Sequence, residues 1–433
     1  MAKPAHTSGL RAGHVLELTV EKPAAGGRMI ARHDGQIVLV SGAIPGERVR
    51  ARVERAEKRV AFADAVDVPF ASPDRRAPID DPACGGCLYS HIRYARQLGL
   101  KASIVEDAFA RIGRISLAGP LEVAASPEHG YRMRARLHAA GGRVGFYREG
   151  THTLCEPRAT GQLTAATMNA VEAAVERIEQ RGTRVVSVEL TENMPGDQRA
   201  LFVETDERGS VARSVPAGIV AAGWATGCTV AGAHGGRTSA GELRVTDALS
   251  RLTGGRASEG ELGRHPESFF QANRYLVPAL VGSVVDAVDA AGPVLDLYAG
   301  VGLFSVSLAA AGHGPITAVE GDRASAADLQ TNAGPFAADV ALLLESVESY
   351  LERERPAPQT VIVDPPRTGM SAEALDRIAA LAAPRIVYVS CDPATMARDA
   401  RKLVDAGYTL RSLRAFDLFP NTPHVECLGV FDR

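Results

Sequence analysis

Near the end of this 433-residue chain, three short stretches hold side chains of the kinds that do covalent chemistry. In RIVYVSCDPATMARD an apolar run ends on Cys391, and the chain turns at Asp392-Pro393. In VIVDPPRTGM a second run ends on Asp364. Two prolines follow, and since neither can donate to a ladder and each keeps its predecessor out of the helical region, the strand must stop in a stiff extended loop. In FDLFPNTPHVECLG, alternation along a strand starting near His424 puts His424 and Glu426 on one face and Cys427 on the other. A buried cysteine is commonly no more than a small hydrophobe. Beside a carboxylate it has a further use, because a thiolate is both a nucleophile and a leaving group, and a buried carboxylate can act as a base near neutral pH.

VLDLYAGVGLFSVSLA reads as strand, glycine loop and helix. Gly300 and Gly302 permit a tight turn, and Glu320 ends the next strand about 20 residues on. A carboxylate there can accept from both hydroxyls of a ribose. The third glycine of the dinucleotide pattern is Ser305, which counts against a pyrophosphate-bearing cofactor and fits a nucleoside such as S-adenosylmethionine. A methyl donor, a thiol and a carboxylate together suit carbon methylation of uracil. Thiolate addition at C6 makes an enolate whose C5 takes the methyl group by direct displacement; a base then removes the C5 proton and the cysteine leaves.

These residues need a sheet to carry them. After about Ser268 the runs PVLDLY, PITAVE, VALLLE, TVIVD and RIVYVS alternate with alanine-rich helical patterns, which predicts a parallel sheet wound on both sides with ligands at its carboxyl edge. TLRSLRAFDLF and HVECLGVFD follow too closely for a helical crossover and should pair antiparallel at one edge. From Gly9 to about Val68, short strand-like runs punctuated by Gly26-Gly27, Asp34-Gly35 and Pro45-Gly46 read as a closed barrel of about five strands. SPDRRAPIDDPACGGC reads as a linker, RYARQLGLKASIVEDAFARI as an amphipathic helix, and residues 121–250 as a mixed α+β section with glycine-rich loops at 223–241.

A formal net charge of -3 gives no global positive field, yet arginines cluster in RVRARVERAEKR and YRMRARLHAAGGRVGFYR. MAKPAHTSGL lacks the pattern of a signal peptide, and no apolar run approaches the ~18 residues of a membrane span, so the expectation is a cytoplasmic protein. Six cysteines, at 84, 87, 155, 228, 391 and 427, would there stay as thiols or metal ligands.

The chain resembles the RNA 5-methyluridine methyltransferases that act on transfer RNA and 23S ribosomal RNA. DPPRTG with IVYVSCDPAT departs from the family pattern only at Asp392, and FDLFPNTPHVE only at Asn421. SGAIPGERV resembles the TRAM domain of these enzymes, YRMRARLH with GFYREGTH their RNA-binding section, and FFQAN the segment before the cofactor domain. The resemblance implies an α/β protein in three parts: an OB-like TRAM barrel over 8–68, a mixed α+β RNA-binding domain over 69–262, and a class I, Rossmann-like methyltransferase domain over 263–433. It makes Cys391 the nucleophile and Glu426 the base, and matches Gln271, Tyr298, Glu320 and Asp364 to contacts with S-adenosylmethionine. Neither departure, Asp392 or Asn421, falls on one of these residues.

Cluster-bearing members carry C-x5-C-x2-C and a fourth cysteine much later. Here the first position is Pro78, Cys84 and Cys87 make the pair, and alignment through TGQL puts Glu156 rather than Cys155 at the fourth. The expectation is therefore a colourless protein with no metal site and no [4Fe-4S] cluster. The implied partner is ribosomal or transfer RNA, with no membrane and nothing demanding more than a monomer. A rival reading is an RNA-binding TRAM protein whose methylase fold is no longer catalytic; another is methylation of small molecules or of RNA nitrogen, which needs no thiol.

Overall fold

A computed structural model describes residues 9–79, 81–207, 212–289, 291–354 and 357–433. Most of the opening stretch read above for a signal peptide lies outside the described residues. The barrel consists of β1 (Val15–Pro23), β2 (Met29–His33), β3 (Gln36–Ser41), β4 (Arg48–Ala56) and β5 (Val60–Phe70), closed in the order β1-β2-β3-β5-β4. Alternation builds it: Leu16, Leu18, Val49, Ala51 and Val53 fill the interior, while Arg48, Arg50 and Arg52 stand outside. The stretch read as a linker is tied down. Arg75 bonds the buried Glu47 carboxylate at 2.6 Å, and Ser72 donates its backbone N–H to the same group.

The middle section begins with α1 (Tyr94–Ala108) and a single strand turn, β6 (Val123–Ala124). Its own sheet contains β7 (Arg134–Ala140), β8 (Arg143–Tyr147), β9 (Leu154–Cys155), β10 (Val185–Glu192), β11 (Arg199–Thr205), β12 (Gly227–Ala231) and β13 (Arg237–Gly241), in the order β13-β12-β11-β10-β7-β8-β9. Helices α2 (Ala165–Glu179) and α3 (Ser214–Ala221) pack on one face through Val171, Val175 and Ile219. The glycine-rich region 223–241 is not simply loop. It forms the β12–β13 hairpin, because Gly227 and Gly241 face each other where a side chain on either would strike backbone atoms. A short hairpin, β14 (Val245–Ala248) and β15 (Glu261–Arg264), with α4 (Leu249–Leu252) between, leads to the last section.

There the strands are β16 (Ala291–Leu297), β17 (Gly314–Val319), β18 (Val340–Leu343), β19 (Thr360–Val363), β20 (Arg385–Ser390), β21 (Thr409–Phe416) and β22 (Glu426–Asp432). The helices are α5 (Val277–Ala287), α6 (Leu303–Ala310), α7 (Arg323–Ala333), α8 (Val347–Arg353), α9 (Ala372–Ala380) and α10 (Pro393–Asp405). Sheet order is β18-β17-β16-β19-β20-β22-β21-β6, parallel through β20 and antiparallel at β22. Buried apolar runs divide by alternation: Ile362 joins the core beneath α5, α6 and α7, while Val361 and Val363 join the one beneath α8, α9, α10 and α1. The antiparallel pair is as expected, but β22 lies inside the sheet and β6 adds to β21 at the edge. Among the described residues no helix is long and apolar enough to cross a membrane.

Candidate active site

Strand order reverses between β16 and β19, which opens a crevice at the carboxyl edge. Cys391 follows β20 and Asp364 follows β19 at this edge, and Glu426 opens the antiparallel β22 from the same side. The β20–β22 ladder ends with Ser390 opposite Cys427, so continuing it by one rung sets Cys391 opposite Glu426. Cys427 turns into the apolar core, as alternation requires. The strand starts two residues later than the sequence pattern predicts. Pro423 has no donor for a ladder, and His424 donates its backbone N–H to Thr422 Oγ1 at 3.3 Å instead.

Burial dominates the electrostatics. It pushes the Cys391 thiol up to about 11, with Glu426 and Asp364 adding to the shift, while the Arg367 guanidinium against the sulfur pulls the other way. Glu426, 4% exposed, is held well above the ordinary carboxylate range by burial and by Asp364, and Arg367 again opposes. Asp364 keeps part of its surface open, yet its dense surroundings and Asp296 push it up to about 7. Asp296, at the end of β16, is also raised to about 7 by burial; it accepts from the Ser305 backbone N–H at 3.1 Å and from its hydroxyl. Burial and the guanidinium of Arg367 keep His424 neutral, pushed down to about 4.

On the cofactor side, Gln271 is buried and donates to Asp364 Oδ2 at 3.5 Å, a long bond that a ligand could replace. Tyr298 adopts a φ of 63° after β16, and its hydroxyl meets Glu348 at 3.3 Å. Glu320 accepts from the Gly300 N–H at 2.7 Å and from the Asp322 N–H at 2.6 Å. Gly300 is at φ +58° with open space where a side chain would stand. These residues fit a nucleoside ligand: an acid poised for hydroxyls, a bare glycine for close approach, and Asp364 on the way to Cys391. Gln271, Asp364, Cys391 and Glu426 are brought together, while Tyr298 directly follows β16 and Glu320 follows the neighbouring β17.

Asp392 caps α10, accepting from the Thr395 N–H at 2.8 Å. Asn421 is buried at φ 64°, and its amide oxygen accepts from Arg76 and from Gln97, each at 2.8 Å. Both departures from the family pattern thus have structural employment. Sequence reasoning gave no role to Arg367, although a cation three residues beyond Asp364 in a proline-stiffened loop has little freedom to be elsewhere. It also gave none to Asp296, which reads as an ordinary member of VLDLY.

The cysteines at the start of the middle section differ from expectation. Cys84 and Cys155 form a disulfide rather than remaining thiols, because β9 pairs with β8 and carries Cys155 to the CGGC turn. Cys87 is buried in the same cluster, and Glu156 is exposed, accepting from the Arg158 N–H at 3.0 Å. Two sulfurs bonded to each other, a proline and an outward carboxylate do not fit an iron–sulfur cluster. Among the described residues, no group of three or more His, Cys, Asp or Glu could hold a metal ion.

Comparison with known proteins adds the following. Residues 351–433 match the tRNA (Uracil-5-)-methyltransferase family model, and residues 10–66 match the TRAM domain. A 23S rRNA (uracil(1939)-C(5))-methyltransferase of Halomonas elongata is 34% identical over 95% of this chain and 88% of its own length. An RNA methyltransferase of Nitratidesulfovibrio vulgaris is 32% identical over 96% and 95%. Among solved structures, the Pyrococcus abyssi tRNA (uracil-54, C5)-methyltransferase in complex with S-adenosyl-L-homocysteine superposes with a TM-score of 0.74 at 24% identity, covering 96% of this chain and 99% of that one, a likeness of fold.

Proposed function

This chain belongs to the RNA uracil-C5 methyltransferases that use S-adenosylmethionine, and from that premise we propose that Cys391 is the nucleophile, Glu426 the base, and a uridine of ribosomal or transfer RNA the target. The observation that carries the assignment is the facing of Cys391 and Glu426 at the carboxyl edge, one rung beyond a rigid ladder. The bound cofactor supplies an electrophilic methyl group; Gln271, Tyr298, Glu320 and Asp364 would hold it.

The thiolate adds to C6 of the flipped-out uridine, and the electron pair released to C5 takes the methyl group. Arg367 stabilises the thiolate, offsetting part of the cost of charging a buried sulfur. Glu426 then removes the C5 proton, the C5–C6 double bond reforms, and the C6–sulfur bond breaks. Its raised pKa suits it to accept that proton.

Of the two RNA classes, 23S ribosomal RNA comes first, since curated relatives carry that name. Arg48, Arg50 and Arg52 on the barrel are suited to the RNA backbone, so binding should weaken with salt. No iron–sulfur cluster takes part in this reading.

The test is nucleoside mass spectrometry on unmodified total RNA after incubation with protein and S-adenosylmethionine, with Cys391→Ala alongside. New 5-methyluridine absent from the control supports the chemistry and the nucleophile together, and separating the RNA by class names the substrate. Undiminished product from Cys391→Ala would sink the nucleophile assignment.

A further inference from the structure

Lys101 and Asp417 are both wholly buried and ion-paired, joining α1 to the residue just after β21. The Lys101 ammonium also donates to the Phe419 carbonyl at 3.1 Å. Asp417 follows Phe416, the cross-strand partner of Glu426 in the β21–β22 ladder. The loop from 417 to 425 therefore starts at Lys101's anchor and ends at the proposed base.

Other anchors fix the same loop. Gln97, one helical turn before Lys101 on α1, donates to Asn421 Oδ1 at 2.8 Å and accepts from the Asn421 N–H at 2.9 Å. The Tyr89 N–H donates to the Asn421 carbonyl at 2.8 Å, and Asn273, two residues past Gln271, donates to the Leu418 carbonyl at 3.0 Å. A buried ion pair is a poor choice for stability alone, because removing two charges from water costs several kcal/mol that their attraction only partly offsets. What it provides is a directional contact at a defined place.

We propose that Lys101 is a positioning residue for proton removal: through Asp417 it fixes the loop that aims Glu426 at C5 of the RNA adduct. This rests on the reading of Glu426 as the base. A misplacement of about 1 Å is enough to cost a reaction a large factor in rate. The step affected is adduct release rather than adduct formation, since Cys391 is carried by β20 and is not held by this loop.

The test replaces both partners, Lys101→Met with Asp417→Leu, because apolar substitution of a whole buried pair is commonly neutral or stabilising. Full-length protein is incubated with S-adenosylmethionine and unmodified RNA, and denaturant-stable protein–RNA complex and free 5-methyluridine are followed over time. Glu426→Gln is the reference for blocked release and Cys391→Ala for no adduct. The double variant should capture RNA at the wild-type rate and release product about tenfold more slowly or worse, so that complex persists. Gln97→Met, which removes two of the bonds that hold the loop at Asn421 and leaves the ion pair intact, should show the same persistence in smaller degree, and it decides the matter if the double variant does not fold. Release at the wild-type rate, or loss of capture and product together, would overturn the proposal. Failure of Glu426→Gln to accumulate complex would instead remove the base assignment, and this inference with it.

Discussion

Cys391 stands opposite Glu426 one rung beyond the pair of Ser390 and Cys427 that closes the β20–β22 ladder. Facing residues of an antiparallel pair have Cβ atoms about 5 Å apart, a span that lets a thiol and a carboxylate work on adjacent atoms of one ring. The register of β22 between β20 and β21 brings the two proposed groups to one end of the ladder, and the loop that precedes Glu426 completes its placement.

Replacing Arg367 with Met should raise the Cys391 thiol beyond the value of about 11 that burial already imposes. Less thiolate is then present at neutral pH, and the rate of adduct formation at pH 7.5 should fall by about tenfold or more. The deficit should shrink as pH rises toward the thiol's own range. Adduct formation measured from pH 7 to 10 checks this, and a deficit of constant size would reject a role through the thiol.

Asp364, raised to about 7, carries a proton in much of the free enzyme at neutral pH. The cationic cofactor favours the ionised form, so its affinity should rise with pH up to about 7 and flatten above. Below that point the slope should approach tenfold per pH unit. Calorimetric titrations at pH 5.5, 6.5 and 8 test this, with Asp364→Asn expected to bind more weakly and with a flat profile.

Asp296 has its folded pKa raised by burial to about 7 from an ordinary 3.8. Its contribution to stability is thus fully present below about pH 4 and is lost as pH rises to about 7. Asn mimics the protonated acid and keeps an acceptor for Ser305. Asp296→Asn should therefore match the parent near pH 4 and exceed it by on the order of 4 kcal/mol at pH 8. Denaturant unfolding at the two pH values would show it; a variant less stable at pH 8 would contradict the account.

The disulfide between Cys84 and Cys155 closes a long loop, with a sequence separation of 71. Cys155→Ser should cost about 3 kcal/mol under oxidising conditions and little in the presence of a strong thiol reductant. Both samples should be colourless. Absorbance near about 400 nm with stoichiometric iron would show that these sulfurs hold a cluster instead.

Much of the fold was legible because its signals are local. Leu16 and Leu18 alternate with Glu17 and Thr19 for a barrel strand, and glycine, proline and acid mark each parallel strand's end. The placing of Cys391 and Glu426 at one edge of the sheet was legible through motif and alternation. What escaped were relations between distant segments: Arg367 meeting Cys391, Asp296 raising Asp364, and the pairing of Cys155 with Cys84. Strand periodicity says which face a side chain takes and nothing about which neighbour arrives there. The 223–241 region misled because its glycines, usually breakers, allow two backbones to approach.

The methyltransferase sheet is discontinuous along the polypeptide. α1 contributes Val105 and Ala108 to one of its cores, with Phe109 just beyond its end, and β6 extends its edge at β21, although the whole seven-stranded middle sheet intervenes before β16. Topologically the middle sheet is an insertion into the catalytic fold. Folding must close a loop of well over 100 residues before that core is complete, a separation that slows assembly. A fragment starting at residue 263 would leave β21 as a bare edge beside an unfilled hydrophobic groove, prone to pair with its own copies. The inserted sheet is joined at both of its ends, by covalent connections, to elements of the catalytic layer.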